Sequence, residues 1–370
     1  MLQPLLSLIK DQSDFDARLC LTGQHCESDR ASAQAIKDDG FNADFIVDMS
    51  IGASPSESEI CHAMGRCIAG IGEVLASFDP DLMIVLGDRY EILAAASAAL
   101  VSRIPIVHLC GGDLTLGAFD DAIRHAVSKM ASLHFPTSEG AARRLIQMGE
   151  DPDRITVSGS TGIDRIKAIP TFGRKEFERL LGFDPDTEFL LVSFHPETLA
   201  QNSNQHLEEL ISALEALPEV GLLLTGSNAD PGASKIDMAF QDLAGRRQNA
   251  IYRTNLGSKL YFSALKHASA LVGNSSSGLY EAPSFGVPTV NIGDRQKGRE
   301  QASSVFNCKP QKAEILSTVN AARAWAQTGQ RSEVSNPYGD GKAAEAILDR
   351  LRPIDDPKSL IRRELQERDV

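Results

Sequence analysis

The sequence predicts an α/β protein of two doubly wound, Rossmann-like domains that face each other across a cleft. At 370 residues the chain is too long for one ordinary core. Short, nearly continuous apolar runs also alternate with amphipathic stretches along its whole length. Such runs are typical of parallel strands that helices cover on both faces, so we expect two parallel sheets.

The predicted strands follow one another in chain order. They are ARLCLTG, ADFIVDM, LMIVLGD, IPIVHLCGG and LHFPTS in the first half, then EFLLVSFH, VGLLLTGS, ASALVGNS and VPTVNIGD in the second. Helices are predicted for LQPLLSLIKDQ, for the alanine-rich stretch after Arg89, for DDAIRHAVSKM and for KAAEAILDRLR. Ligands of such sheets bind at the carboxyl ends of the strands, where the polar residues of this chain cluster.

The domain boundary is predicted near KAIPTFGRKEF, where Pro170 and Gly173 separate two helices. This gives an N-terminal domain of residues 1–169, a C-terminal domain of 170–352 and a charged tail of 353–370. A doubly wound domain normally opens with a central strand and a glycine-containing phosphate loop. Because this chain opens on a helix, the first strand is expected to be missing.

Composition excludes several classes of protein. Apolar residues make up 42% and charged residues 24%, which is typical of a folded protein, and the net charge of −13 argues against binding to nucleic acid or to an anionic membrane. The six cysteines form no C-x-x-C pair and are expected to be reduced thiols. With no long apolar run and no signal-peptide pattern, we expect a cytoplasmic protein.

Two strand ends in the first half carry ionisable residues. Asp88 and Arg89 open the alanine-rich helix, where an aspartate could simply cap the helix or could lie at the cleft floor. His108 and Cys110 end the next strand, and Asp120 starts DDAIRHAVSKM. In that helix Asp120 with Arg124, and Asp121 with His125, are spaced as i,i+4 pairs, which could be ordinary surface ion pairs.

The convergence of these groups favours an active site. Two carboxylates and a histidine in one enclosed site are what general acid/base chemistry requires, because burial and crowding push their pKa values apart. A metal site is the rival interpretation, but no H-x-x-H, H-E-x-x-H or cysteine pair stands at ligand spacing.

The second half is expected to bind an anion. Asn274 and the serines from Ser275 follow one strand, with Glu281 one helical turn further on and able to accept from a ribose diol. Serine-rich turns are more often simple helix caps. Arg295 and His195, which follow other strands, add polar groups whose natural partner is a diphosphate.

Together, GDRYE, HLCGGDLTLGAFDDAIRHAVSKMASLHF, FHPET, SNADPG and VGNSSSGLYEAPSFGVPTVNIGDRQKGR resemble the hydrolysing UDP-N-acetylglucosamine 2-epimerases of the sialic and legionaminic acid pathways. The resemblance implies a glycosyltransferase-B-like fold. It also implies release of UDP and N-acetylmannosamine by anti elimination to 2-acetamidoglucal and then hydration, with no metal or redox cofactor.

The resemblance assigns roles to matching positions. It implies that Asp88 and Asp120 are the acid/base carboxylates, with His108 and Asp121 as catalytic neighbours. The residues that it implies for substrate and nucleotide binding are Arg89, Arg124, His195, Asn228, Ser275, Ser276, Glu281 and Arg295. A homo-oligomer, dimer or tetramer, is implied as well.

The chain departs from the family pattern in two places. Cys110 stands where some relatives carry a glutamate implicated in catalysis, and a buried thiol is a poor acid, so Cys110 receives no role. The family's opening strand and its arginine-containing loop are absent, so we expect either an earlier natural start or a weakened product. Losing a central parallel strand would expose pairing edges on its neighbours.

Other functions remain open on the sequence alone. The same reaction could act on UDP-2,4-diacetamido-2,4,6-trideoxyglucose or on GDP-N-acetylglucosamine. A non-hydrolysing epimerase is a further alternative, but GGDLTLGAFDDAIRH resembles the motif of the hydrolysing enzymes more closely. A glycosyltransferase on the same scaffold, or an inactive nucleotide-sugar sensor, would bind the nucleotide but make little use of Asp88 and Asp120.

Overall fold

The computed structural model describes residues 2–23, 26, 31–52, 55–114, 119–183, 187–196, 203–227, 233–362 and 366. Helices there are α1 Gln3–Lys10, α2 Ala31–Asp38, α3 Glu57–Phe78, α4 Tyr90–Val101, α5 Asp120–Met130, α6 Glu139–Gln147, α7 Thr161–Ala168, α8 Arg174–Leu181, α9 Ser203–Glu215, α10 Ala233–Gly245, α11 Gly257–His267, α12 Ser277–Tyr280, α13 Lys312–Ala326 and α14 Ala343–Leu351. Strands are β1 Cys20–Thr22, β2 Phe45–Val47, β3 Met83–Leu86, β4 Ile106–Leu109, β5 Leu133–Phe135, β6 Phe189–Ser193, β7 Gly221–Thr225, β8 Ala250–Arg253, β9 Ala270–Gly273, β10 Thr289–Ile292 and β11 Val305–Cys308.

The chain divides into two compact units. Unit 1 comprises residues 1–165 and 341–370, and unit 2 comprises 166–340. The sequence-based boundaries of 170–352 and 353–370 are therefore wrong at the C-terminal end, because 341–352 returns to unit 1. The physical reason is the apolar face of α14, whose Ile347 and Leu348 join the same core as Leu5 of α1 and Leu109 of β4. Asp164 accepts hydrogen bonds from the first amides of α14.

Unit 1 contains two parallel sheets. In the first, β1 pairs with β2; in the second, the order is β3-β4-β5. One core packs α3, α4 and α5 against one side of these strands, and a second core packs α1 and α14 against β4 and β5. Both faces of β4 are thereby covered, which explains why all four of its residues are buried and why only His108 interrupts its apolar sequence.

Unit 2 is a single six-stranded parallel sheet with the order β11-β10-β9-β6-β7-β8. The central strands are buried along their whole length, and apolar cores lie on both faces. The strand order reverses between β6 and β9, which are hydrogen-bonded neighbours. In sheets of this kind the reversal opens a crevice at the carboxyl ends of the two strands, and ligands bind there.

Two strands, β8 and β11, are absent from the sequence-based prediction. Both are edge strands and are only partly buried, so neither shows the continuous apolar run that identifies the inner strands. In the part of the chain that the structure describes, no helix is both long enough and apolar enough to cross a membrane.

Candidate active site

The carboxyl ends of β3, β4 and β5 lie side by side in unit 1. The register pairs Leu86 with Leu109, and Leu109 with Phe135. Beyond β4 the chain turns sharply, and Gly112 has a φ of +78°. A Cβ at this position would lie 2.4 Å from the carbonyl oxygen of Ala141, so only glycine fits.

Asp88 and Arg124 form the central ion pair of this edge. Arg124 Nη2 donates to the Asp88 carboxylate, and Nη1 donates to the carbonyl oxygen of Asp113 at 2.7 Å. Asp121 lies 3.6 Å from Arg124 and from His125. The Arg124 side chain is only 8% exposed, so this pair is largely shielded from solvent. Asp88 does not cap α4, whose N-cap residue is Arg89 without a capping side-chain bond.

Asp120 lies in the first turn of α5, and its carboxylate is close enough to Asp88 for the two negative charges to interact. Burial and then the negative charge of Asp88 raise the pKa of Asp120, while Arg89 and Arg124 oppose that shift. One carboxylate is thus fixed in an ion pair and the other titrates above its usual range. Carboxylates in such different environments can divide acid and base roles.

Glu91 is a fourth acidic residue of this edge that the sequence analysis missed. Its side chain is 7% exposed, its Oε1 lies 2.7 Å from Arg89 Nε, and its Oε2 is buried without a hydrogen-bond partner. The charge of Glu91 contributes to the raised pKa of Asp120. We call Asp88, Glu91, Asp120, Asp121, Arg89 and Arg124 the carboxylate cluster. GDRYE contained the signal, since its glutamate lies in the first turn of the helix that follows β3.

His108 does not lie where a proton-transfer group would contact substrate. The ring is fully buried, with Nδ1 3.1 Å from Ser128 Oγ and Nε2 2.9 Å from the carbonyl oxygen of Gly87. Burial lowers its pKa to about 4. His108 thus lies next to the carboxylate cluster with both ring nitrogens engaged inside the protein, and its catalytic role stays a prediction.

Cys110 adopts a left-handed backbone conformation with φ of +64°, which is unusual for a residue with a side chain. Burial, followed by the charge of Asp113, raises the pKa of the Cys110 thiol to about 12. A thiol in this state is a poor acid and a poor nucleophile at neutral pH. No proton-transfer role is assigned to it.

In unit 2, His195 and Asn274 meet where the strand order reverses. His195 N–H donates to Asn274 Oδ1 at 2.8 Å, and Asn274 Nδ2 donates to the His195 carbonyl oxygen at 2.9 Å. His195 Nδ1 lies 3.3 Å from Ser227 Oγ. Asn274 is fully buried, so this reciprocal pair fixes the segment that carries the histidine. The sequence placed Asn274 in the expected anion-binding turn but did not predict its pairing with His195.

The serine turn follows Asn274 directly. Ser275 and Ser276 are half-buried, and α12 that follows is only four residues long. Tyr261 donates from its hydroxyl to Ser277 Oγ at 2.6 Å. Ser277 in turn hydrogen-bonds Glu281, whose pKa is raised by burial and whose Oε2 is buried without a hydrogen-bond partner. An unpaired buried carboxylate oxygen is well suited to accept from a ligand hydroxyl.

Arg295 is tied to the same turn. Its Nη1 donates to the Asn274 carbonyl oxygen at 3.2 Å, and buried Gln296 donates to that oxygen at 2.8 Å. Asn228, a further predicted residue, lies outside the described residues. The remaining predicted residues of this half, His195, Ser275, Ser276, Glu281 and Arg295, are therefore brought together at the ends of three neighbouring strands.

Within the described ranges, no group of three or more histidine, cysteine, aspartate or glutamate side chains is arranged to hold a metal ion.

The parallel sheets with helices on both faces define an α/β protein of the glycosyltransferase-B-like fold class. The solved structure of UDP-GlcNAc 2-epimerase from Neisseria meningitidis, bound to UDP-GlcNAc, has this fold. It superposes with a TM-score of 0.74 at 21% identity and covers 95% of each chain.

The UDP-N-acetylglucosamine 2-epimerase family model matches residues 7–352. The hydrolysing GDP/UDP-N,N'-diacetylbacillosamine 2-epimerase of Campylobacter jejuni is 35% identical over 83% of this chain and 80% of its own. The hydrolysing UDP-N,N'-diacetylbacillosamine 2-epimerase of Legionella pneumophila is 32% identical over 96% and 92%. The chain belongs to the UDP-N-acetylglucosamine 2-epimerase family and is a hydrolysing nucleotide-sugar 2-epimerase.

Proposed function

We propose that the protein converts UDP-N,N'-diacetylbacillosamine and water into UDP and the free 2-epimer of the sugar. The observation that carries the proposed chemistry is the pairing of Asp88, fixed by Arg124, with Asp120, whose pKa is raised. Within one site, one carboxylate of such a pair can take a proton from carbon, and the other can accept a proton from the attacking water.

The first step is elimination. Ionised Asp120 takes the proton from C2 of the sugar, since a carboxylate with a raised pKa is the stronger base. The C2–H electron pair forms the C1=C2 bond, and the C1–O bond breaks with its electrons passing to the diphosphate. The products are UDP and a 2-acetamidoglycal.

The second step is hydration. Water adds to C1 and loses a proton to the carboxylate of Asp88, which Arg124 holds in position. A solvent-derived proton adds to C2 from the face opposite to the one that lost it, which inverts C2. Asp120 and Asp88 then release to solvent the two protons that they accepted, one of which balances the proton that solvent delivered to C2. The two steps together consume one water, yield UDP and one net proton, and return both carboxylates to their initial states.

The leaving diphosphate requires positive charge and hydrogen-bond donors. Arg295, His195 and the serine turn at Ser275 and Ser276 supply these in unit 2. Glu281 Oε2 accepts from the ribose hydroxyls, which satisfies an oxygen that is otherwise buried without a partner.

The choice of sugar rests on the relatives. Two relatives above 30% identity over most of their length are named for N,N'-diacetylbacillosamine nucleotides. The UDP-N-acetylglucosamine 2-epimerase of Neisseria meningitidis is 29% identical. The motifs alone favour UDP-N-acetylglucosamine, which is therefore the second candidate substrate.

The test follows each nucleotide sugar by proton NMR in deuterated buffer. UDP-N,N'-diacetylbacillosamine, UDP-N-acetylglucosamine and GDP-N-acetylglucosamine are compared at equal concentration. The expected result is free UDP and a 2-epimerised sugar carrying deuterium at C2, with the highest kcat/KM for the diacetamido sugar. D120N is expected to be inactive, whereas D242N, which removes an exposed carboxylate of α10, keeps wild-type rates. Epimerisation without free nucleotide, or without deuterium at C2, would contradict the proposal.

A further inference from the structure

Two fully buried polar side chains, His108 and Ser128, lie beneath the carboxylate cluster. His108 contacts the loop after β3 through Nε2, which is 2.9 Å from the Gly87 carbonyl oxygen. It contacts α5 through Nδ1, which is 3.1 Å from Ser128 Oγ. The imidazole therefore joins the turn that carries Asp88 to the helix that carries Asp120.

The chemistry of these contacts fixes the position of the imidazole proton. A carbonyl oxygen can only accept, so Nε2 must donate to Gly87. Burial keeps the ring neutral at physiological pH, since the pKa of His108 is lowered to about 4. Nδ1 is then an acceptor, and the Ser128 hydroxyl must be its donor. The two hydrogen bonds of the His108 ring therefore run in one direction: the Ser128 hydroxyl donates to Nδ1, and Nε2–H donates to the Gly87 carbonyl oxygen.

The Gly87–Asp88 turn is held to α5 at two points, one through Arg124 and one through Ser128. Gly87 immediately precedes Asp88, and its own N–H donates to the Leu109 carbonyl oxygen at 3.3 Å. Ser128 follows Arg124 by four residues, so the two lie on the same face of α5. Arg124 binds the Asp88 carboxylate directly, and Ser128 binds the backbone of the same turn through His108.

Gly111 packs closely against the side chains of His108 and Ser128. A Cβ at Gly111 would lie 3.0 Å from both His108 Nδ1 and Ser128 Oγ. The imidazole and hydroxyl are thus packed tightly, with little room for another orientation of the ring.

We propose that Ser128 is a positioning residue of the epimerase reaction, acting through the Nε2–H form of His108 on the Gly87–Asp88 turn. The kinetic part of this inference rests on the proposed function, whereas the hydrogen-bond direction does not. Without the hydroxyl, Nδ1 loses its donor and the ring can exchange tautomers. The exchanged ring would set an unprotonated Nε2 against the Gly87 carbonyl oxygen, and the turn with Asp88 would shift.

The first test measures the tautomer of His108 by nitrogen-15 NMR of histidine-labelled protein. The H108Q variant identifies the His108 signals by their loss. The expected spectrum has the proton on Nε2 throughout the range of about pH 6 to 8. A proton on Nδ1, or a ring that gains charge in this range, would overturn the inference whether or not the protein turns over any sugar nucleotide.

The second test compares S128A with S304A. Ser304 is also fully buried, but its hydroxyl has no hydrogen-bond partner, so S304A removes a buried hydroxyl without removing a bond. S128A is expected to mix the His108 tautomers and to lower kcat roughly ten- to a hundredfold, with KM changed less than about twofold. S128C, of similar size with a weaker donor, should be intermediate and is measured if S128A does not fold.

The outcomes separate the two proposals. S128A or S128C with the tautomer and kcat of S304A would show that Ser128 is merely structural. An inactive wild-type protein whose His108 carries its proton on Nε2 would instead overturn the proposed function and leave the hydrogen-bond direction established.

Discussion

Arg124 of α5 donates to the carboxylate of Asp88, which follows β3, although the spacing along α5 favours its pairing with Asp120. Arg124 also binds the Asp113 carbonyl oxygen. One guanidinium therefore holds together the ends of two strands and the start of a helix. Asp120 does not form this ion pair, and burial and then the charge of Asp88 raise its pKa.

Removing the guanidinium should affect both activity and stability. R124A leaves the Asp88 carboxylate partly buried without its partner, and we expect the free energy of unfolding to fall by about 1–3 kcal/mol. We expect kcat to fall about 100-fold, because Asp88 is no longer held in place. R124K keeps the charge but loses the forked geometry, so it should fold better than R124A and remain slow. Urea unfolding and steady-state kinetics check this, and an R124K with wild-type kcat would contradict it.

The raised pKa of Asp120 predicts a stability effect with a definite sign. Ionisation of Asp120 is less favourable in the folded protein than in the unfolded chain, so wild-type stability falls as pH rises from the usual value of 3.8 through the raised one. D120N lacks this loss. Its stability relative to wild type should therefore increase with pH across that window, while its activity is abolished. Urea unfolding as a function of pH measures this, and a free energy of unfolding of D120N minus that of wild type that decreases with rising pH would refute it.

Tyr261 should influence nucleotide binding without contacting the reacting atoms. Y261F removes the hydroxyl that donates to Ser277, and the Ser277 side chain is then less well oriented toward Glu281. We expect the Kd for UDP to rise about three- to tenfold, corresponding to one lost hydrogen bond, with kcat nearly unchanged. Calorimetric titration with UDP measures the effect. Y252F, on the edge strand β8, is the matched control, and equal affinities for the two variants would contradict the prediction.

Gly273 should be intolerant of any side chain. Its φ is +143°, and a Cβ would lie 1.9 Å from the Ser193 carbonyl oxygen at the point where β9 passes β6. G273A should lose about 3 kcal/mol or more of stability and weaken UDP binding. G245A, where a Cβ meets no atom within 4 Å, is the control. Thermal unfolding of the two variants tests this, and a G273A as stable as G245A would argue against the close approach of these strands.

Much of the fold follows from the sequence because inner parallel strands are apolar on both faces. The predicted helix DDAIRHAVSKM has the same limits as α5, Asp120–Met130. Its apolar stripe of Ile123, Val127 and Met130 is visible in the sequence. The return of α14 to unit 1 could not be predicted in this way. An amphipathic pattern shows that a helix has an apolar face, but it does not show which core that face enters.

The candidate site shows the same division. Residue types and strand ends placed Asp88 and Asp120 on one edge of a sheet, because parallel strands end together. The sequence could not show that Arg124 binds Asp88, since helical spacing reveals only partners on the same helix. Nor could it show that His108 faces inward, because a fully covered strand is apolar on both sides and gives no alternation to orient a polar residue.

The position of α14 also bears on the order of synthesis. Val107 and Leu109 of β4 need the apolar face of α14, yet that helix leaves the ribosome only after all of unit 2. During translation one side of the β3-β4-β5 sheet therefore lacks part of its apolar cover, while unit 2 can already form its own core. A nascent chain halted before residue 341 should bind chaperones that capture exposed apolar surface, and release of the final segment should end that binding.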